Sequence, residues 1–414
     1  MKIGIAGPIG TESIAGFVAE DPARLPHGYG GAPLVSTLIG ELLARGHTVA
    51  AFTTSSDLPI SPYAEVVAQG DRFRIHYCPV RPHAFRPKFG KPGRAVDGFR
   101  IERDALRQAM LSEGLDLIHA HWAYEFALAA IASGLPHVIT CHDVPRAVLR
   151  YMPNGYRLVR YFMARRVMAT ACTLTAVSPY LRDAIAGSTR VPITVIPNPL
   201  PPEVMKHAPS RRMVDPLRPR LAMVLNGWGP LKNPQPALIA FSLLRRRLPD
   251  AELSLFGIDF EPGGRAQRWA DARGVAAGVT FIGNLPYSQL LQALSQEDAL
   301  VHPSLEETFG MSVAEAMALG VPVIGGSRSG AVPWVIGGGG LLADVTSPQA
   351  ICEAMLGLLV EPAVYARCRE TALERSRKIF SAEIVVNQYE QIYRDVVGRA
   401  ACHVHGAGWE VKER

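Results

Sequence analysis

Short apolar or β-branched runs alternate with helix-period runs along nearly the whole chain. In the first half they predict strands at Lys2–Gly7, Thr48–Thr54, Phe73–Cys78, Leu115–His121, His137–His142, Thr173–Val177 and Ile193–Pro197. Helical spacing fills Pro33–Arg45, Val96–Ser112, Glu125–Ser133, Tyr156–Ala171 and Pro179–Ala186. Such alternation argues for an open, mostly parallel sheet with helices on both faces. The pattern breaks at Pro197-Asn-Pro-Leu-Pro-Pro202 and on through Pro209, Pro216 and Pro219, which reads as a linker. It then restarts, with strands at Arg220–Asn226, Glu252–Phe256, Val279–Ile282, Ala299–His302 and Pro322–Gly325. Their helices are predicted over Gln235–Leu248, Gly264–Arg273, Tyr287–Leu294, Val313–Leu319 and Pro348–Val360. The expectation is an α/β chain of two Rossmann-like, doubly wound domains, 1–203 and 204–380. A final amphipathic helix, Ser381–Val397, falls in a segment 381–400, and a loosely ordered tail is expected from Ala400.

Length changes little in this picture, since 414 residues suit two domains with a core each. The net charge of +6 fits an anionic substrate or membrane surface. It is too small to argue for nucleic acid, and no RNP-like, zinc-finger or helix-turn-helix pattern occurs. Six scattered cysteines without a CxxC pair point to a reducing compartment. Met1-Lys2 runs straight into a strand, and no apolar run suits a signal peptide or a membrane span. A cytoplasmic protein is expected, with peripheral contact at the inner face of the membrane as an extension. Basic residues interleaved with aromatics in Arg72–Arg100 and Arg146–Arg166 motivate that extension.

The chemistry concentrates between Ser304 and Ile324. Glu307 and Glu315 stand eight residues apart around Phe309-Gly310-Met311. Ser312-Val-Ala-Glu315 fits a capping box, with Ser312 as N-cap and Glu315 at the third helical position. The free amides and positive dipole end of that helix would suit a pyrophosphate. Elsewhere, Gly30-Gly31 precedes a helix and permits close approach of a ligand to backbone. His119 and His121 share one face of a strand end, but no third metal ligand is apparent. Thr140-Cys-His142-Asp143 ends the next strand, and a neutral imidazole can bond a sugar hydroxyl. Asn226-Gly227-Trp228 leads to Lys232, and Val279–Ile282 leads to Gly283-Asn284. Gly4, Gly7 and Gly10 do not have dinucleotide-fold spacing, and no Asp-x-Asp occurs.

The 304–324 stretch resembles the donor-binding signature of retaining, nucleotide-sugar-dependent glycosyltransferases of family 4. The resemblance implies the GT-B fold, with residues 1–203 as the acceptor-side domain, 204–380 as the nucleotide-sugar donor domain, the active site between them and the last helix crossing back to the first. It implies a nucleoside-diphosphate sugar as co-substrate, no cofactor, no metal, and a sugar or lipid-linked acceptor. It assigns the ribose hydroxyls to Glu315, and the diphosphate and sugar to the backbone of Phe309, Gly310, Met311 and Ser312. Glu307 and His142 would reach the transferred sugar, Lys232 the leaving diphosphate, and Gly30, Gly31, Gly227, Gly283 and Asn284 would line the donor site. His121 is a further candidate. This chain departs from the family in having Trp228 where an arginine is usual, and Arg328 is a candidate to supply the missing charge. It departs again in Pro333-Trp334, where the family usually has Pro-Glu. Two alternatives stand beside the transferase reading: a GT-B-like sugar-nucleotide epimerase, and a degenerate nucleotide-sugar-binding scaffold.

Overall fold

The computed structural model describes residues 1–30, 33–61, 64–88, 90–207 and 214–406. The candidate Gly31, Pro209 of the proline-rich stretch and the last part of the expected tail lie outside the described residues. The chain divides into two compact units. Unit 1 comprises Met1–Val177, Leu181–Pro199 and the chain from Ala382, and unit 2 comprises Ser178–Tyr180 and Leu200–Ser381.

Unit 1 carries β1 (Lys2–Ala6), β2 (Thr48–Ser55), β3 (Val66–Gly70), β4 (Phe73–Pro79), β5 (Leu117–His121), β6 (His137–Cys141), β7 (Leu174–Ala176) and β8 (Ile193–Val195). They form one sheet in the order β3-β4-β2-β1-β5-β6-β7-β8. All pairs are parallel except β3 with β4. The sequence pattern missed β3, an edge strand whose VVAQG run is part exposed and turns directly into β4 at Asp71-Arg72. The helix predicted from Val96 begins at Arg100, because Phe99 adopts a left-handed conformation (φ 64°) that cannot continue a helix. The core packs Ile3, Ile5, Leu38 and Leu42 against Val385, Tyr389 and Tyr393 of the last helix, Ala382–Gly406. That helix continues past Ala400, where a loose tail was expected.

Unit 2 carries β9 (Arg220–Val224), β10 (Glu252–Phe256), β11 (Val279–Gly283), β12 (Ala299–His302), β13 (Val323–Gly326) and β14 (Gly340–Ala343). Their order is β11-β10-β9-β12-β13-β14, all parallel. Its core is Leu221, Met223, Leu238, Phe241, Leu253, Leu255 and Met355. β14 was not predicted, since its glycine-rich approach hides a short strand. A helix, Pro202–Lys206, forms inside the proline-rich stretch, with Pro202 at a first-turn position that needs no N–H.

Strand order reverses between β1 and β5 in unit 1, and between β9 and β12 in unit 2. Connections leave such a pair in opposite directions, so a crevice opens at its carboxyl ends. In unit 2 the register supports this directly: β9 and β12 pair only at Ala299↔Leu221 and Leu300↔Ala222, then part.

Candidate functional site

Two loops leave the unit 2 switch point. The β9 loop carries Gly227, Trp228 and Lys232, and the β12 loop carries Glu307 and ends at the helix Met311–Ala318. The amide of Leu305 donates to the carbonyl of Leu231 (2.8 Å), tying the loops together. Asn233, in a left-handed conformation (φ 50°), donates from Nδ2 to the carbonyls of Pro303 (3.1 Å) and Val345 (2.9 Å). These clamps fix the residue next to Lys232 relative to the ends of β12 and β14.

Lys232 Nζ then reaches Glu307 Oε1 at 2.6 Å, and His302 Nε2 lies 3.4 Å from the same oxygen. Burial alone would push the Glu307 carboxyl up, but the imidazole and the ammonium outweigh it and hold the pKa at about 2. Glu307 is therefore a fixed anion at every physiological pH. Its backbone is fixed from the other side, where the Ala331 amide donates to its carbonyl at 2.8 Å. Gly330 makes this possible. At its φ of +62°, a Cβ would sit 2.4 Å from the Glu307 carbonyl oxygen. Gly330→Ala is expected to push the Glu307 loop aside, costing about 1–3 kcal/mol in stability. Urea unfolding with a parallel activity assay checks this, and activity should fall by more than the change in stability explains.

The helix Met311–Ala318 starts at Gly310, whose φ of 91° only glycine adopts at ease. This corrects the capping-box expectation. Ser312 lies inside the helix rather than at its cap, because the chain turns into the helix at Gly310, and no side chain bonds the cap. The first intrahelical bond runs from the Val313 amide to the Gly310 carbonyl (3.1 Å), so the Met311 and Ser312 amides precede it. They form a short anion-seeking edge beside Glu307. Phe309 anchors that edge by packing edge-on against Phe380 (5.4 Å) and Trp334 (6.3 Å). Trp334, where the resemblance expects a glutamate, is thus a packing residue. Arg375 donates to its carbonyl at 2.5 Å and lies 5.8 Å over its ring.

Glu315 does not reach back to the cap. It is buried and accepts from the Tyr287 hydroxyl at 2.8 Å. Burial raises its carboxyl, the tyrosine bond only partly offsets this, and the pKa stands at about 7. The folded chain thus keeps a proton that the unfolded chain releases from pH 4.5 upward. Stability falls as pH rises through that window, and above pH 7 the cost is about 3 kcal/mol. Glu315→Gln is expected to raise the melting temperature at pH 8 but not at pH 4.5, as thermal unfolding at both pH values would show.

The remaining candidates are placed as follows. Trp228 is buried, edge-on to Phe260 (5.9 Å) and tilted on Trp269 (5.4 Å). Its side chain belongs to the core of unit 2, so this possible site residue offers no side chain to a ligand there. Only its backbone faces the loop, where the amide donates to Asp259 Oδ2 (2.9 Å). Gly227 turns the loop at a φ of 102°. Arg328 stands exposed on the turn after β13, and it adds a little to the bonds from Thr346 that lower the Asp344 carboxyl. Gly283 and Asn284 end the edge strand β11, two strands from β9.

In unit 1, His121 and His142 end β5 and follow β6. His121 Nδ1 lies 3.0 Å from His142 Nε2, and His142 stacks on Trp122 at 4.1 Å. Burial depresses both imidazoles, to about 3 at His121 and well below the usual value at His142, where the neighbouring His121 adds to it. Both are neutral hydrogen-bonding groups. His119 is structural, bonded to Tyr393 Oη (2.7 Å) and Thr140 Oγ1 (2.6 Å). Among the described residues no group of three or more His, Cys, Asp or Glu is placed to hold a metal. Gly30 is exposed with open space around it. No single described helix is long and apolar enough to cross a membrane.

Residues 191–375 match the family described as Glycosyl transferases group 1, and residues 29–204 match Glycosyltransferase Family 4. The chain is 25% identical over 295 residues to the uncharacterized glycosyltransferase YqgM of Bacillus subtilis (strain 168), covering 70% of this chain and 80% of that one. It is 25% identical over 389 residues to the N-acetyl-alpha-D-glucosaminyl L-malate synthase of Bacillus anthracis, covering 89% and 94%. The structure of Anabaena HepE in complex with UDP superposes with a TM-score of 0.65 at 17% identity, over 95% of this chain and all of that one.

Proposed function

This chain belongs to the family 4 type glycosyltransferases and has the GT-B fold, and from that premise we propose that it moves a hexosyl group from a nucleoside-diphosphate sugar to an acceptor hydroxyl with retention of anomeric configuration. The observation that carries the reading is the Lys232–Glu307 pair set beside the Gly310-capped helix start. A half-buried cation, a fixed carboxylate and unused amides at a switch-point crevice suit a sugar diphosphate better than any neutral ligand. The UDP bound to the structurally similar HepE supports a nucleoside diphosphate here.

In this reaction Lys232 exchanges Glu307 for the leaving diphosphate, which the Met311 and Ser312 amides also bind. That charge comes from protein groups, so the transfer runs without a metal ion. Glu315 takes the ribose hydroxyls. Glu307, released from Lys232, binds hydroxyls of the transferred sugar and stabilises the positive charge that develops on it. His142, neutral, bonds the same sugar. The departing phosphate takes the acceptor proton, so substitution occurs on one face. A thermal-shift screen of nucleotide sugars identifies the donor, since a bound donor stabilises the fold. Proton NMR of the first product then reads the anomer, and an inverted product would rule out retention.

Leu158 and Phe162 are exposed on the helix Gly155–Thr170, where Arg165 and Arg166 follow at helical spacing, and Phe85, Met152, Arg146 and Arg150 are exposed as well. Exposed apolar groups together with exposed cations suit an anionic lipid surface. The chain is expected to sediment with phosphatidylserine vesicles at low salt and to be released at high salt. Its absence from the vesicle pellet at low salt would remove membrane contact from the account.

A further inference from the structure

Glu307 stands between two groups of unequal freedom. Lys232 Nζ and His302 Nε2 approach the same oxygen, Oε1, at 2.6 and 3.4 Å. The lysine side chain is 26% exposed, the carboxylate 16% and the imidazole 2%. Lys232 rides a loop on a long flexible stem, so it is able to leave. His302 ends β12, its backbone in register with Gly325 of β13 and its ring closed off from solvent, so it stays.

His302 is also under-bonded. Neither Nδ1 nor Nε2 has a hydrogen-bond partner among the described residues, and 3.4 Å is long for a bond to Glu307. A buried imidazole with both nitrogens unsatisfied lowers stability, and a leucine would fill the same place without that penalty. A side chain that stability alone would not choose points to a function. At its present distance the imidazole already favours the anion. Burial would raise the Glu307 carboxyl, and His302 is the first of the groups that oppose it, ahead of the charge on Lys232.

The transfer described above moves Lys232 from Glu307 to the leaving diphosphate. That exchange removes the short contact of the carboxylate just when it must face developing positive charge. It also opens Oε1 to a closer donor. We propose that His302 is a positioning residue that takes over Glu307 during transfer: once Lys232 turns to the diphosphate, Nε2–H donates to Oε1 and keeps the carboxylate ionised and aimed at the sugar. The inference rests on the donor reading of unit 2, and it adds a residue from outside the Ser304–Ile324 stretch.

A pH signature follows. The titratable groups that bear on the Glu307 carboxyl are His302, from β12, and Lys232, from the β9 loop, while the turn at Gly330 meets it through backbone. With both in place the carboxyl stands at about 2. Without His302, Lys232 still holds it down in the free protein. In the donor complex without His302 neither group does, so the carboxyl rises and its ionised fraction drops as pH falls.

The test uses the full chain, its variants His302→Leu and His302→Gln, and a panel of UDP-, GDP- and ADP-sugars. His302→Leu should keep or raise the melting temperature of the free protein, lower kcat about tenfold or more, and leave KM within about twofold. Its deficit should widen as pH falls from about 8 to about 5.5. His302→Gln, whose amide donates from nearly the same place, should recover most of the rate and level the deficit across pH. A histidine with only a structural role would lower melting temperature and rate together, with no dependence on pH. In the wild type, the His302 Nε2–H resonance, assigned with the glutamine variant, should move downfield when UDP, GDP or ADP saturates the chain. That measurement decides the matter if the leucine variant fails to fold. A wild-type rate in His302→Leu, a deficit level across pH, no recovery in His302→Gln, or a resonance unmoved by bound nucleotide would each overturn the proposal. A wild-type chain that turns over no donor and binds no nucleotide would strike the donor reading itself, and this inference with it.

Discussion

Replacing Lys232 with alanine is expected to lower turnover by about 100-fold or more, because it removes the cation that pairs with Glu307 at the switch-point crevice of unit 2. The loss should fall on kcat more than on KM, since charge on the leaving diphosphate grows toward the transition state. The substitution has a second effect. It leaves the half-buried Glu307 with His302 beside it but without its cation, and such a loss costs about 1–3 kcal/mol. The Glu307 carboxyl should then rise from its value of about 2. The wild-type pair contributes stability that is full above pH 4.5 and is lost as pH falls through 2. Lys232→Ala should therefore flatten the acid side of the stability profile, which urea titrations between pH 3 and 7 would detect.

Glu307→Gln is expected to abolish transfer, by about 100-fold or more, while nucleotide affinity holds. Glutamine keeps the shape and the hydrogen bonds to sugar hydroxyls, but cannot offset positive charge on the sugar. It also frees Lys232 from its unliganded partner, so diphosphate affinity should stay level or improve. The two residues act as one unit, so the double variant should lose little more activity than either single one. Additive losses would show that Lys232 and Glu307 act separately.

Much of this was legible in the sequence, for identifiable reasons. Strands buried on both faces, such as β1 and β12, announce themselves as apolar runs between helix patterns. Glu307, Phe309, Gly310 and Glu315 lie within one short segment, so their grouping needs no tertiary contact. What was missed depends on contacts through space. Asn233, His302, Tyr287 and Gly330 come from four different segments, and each matters only through the partner the fold brings to it. Gly330 left one sequence signal, a lone glycine before Ala-Val-Pro, which a turn alone would also explain. The capping box was misread because a left-handed Gly310 competes with Ser312 for the cap, and the sequence alone does not rank them. Where the Trp228 ring turns was not legible either, since a tryptophan in a glycine-flanked loop gives no sign of it, and here the core of unit 2 takes it.

Glu315 shows the cost of the site most clearly. A carboxylate buried against one tyrosine lowers stability at neutral pH and would be selected against in a core. Its presence makes sense if ribose hydroxyls complete its hydrogen bonds when nucleotide is bound, an exchange of stability for binding.

The central claim is that unit 2 binds and activates a nucleotide sugar through Lys232 and Glu307. The most direct measurement is the initial rate of nucleoside-diphosphate release from a panel of UDP-, GDP- and ADP-sugars, for the wild-type chain and for Glu307→Gln, with nucleotide affinity measured on the same samples. The account predicts that the wild type turns over at least one donor, and that the variant binds the nucleotide equally well but releases it at least about 100-fold more slowly. Turnover of no donor by the wild type, or equal rates for the two proteins, would contradict it.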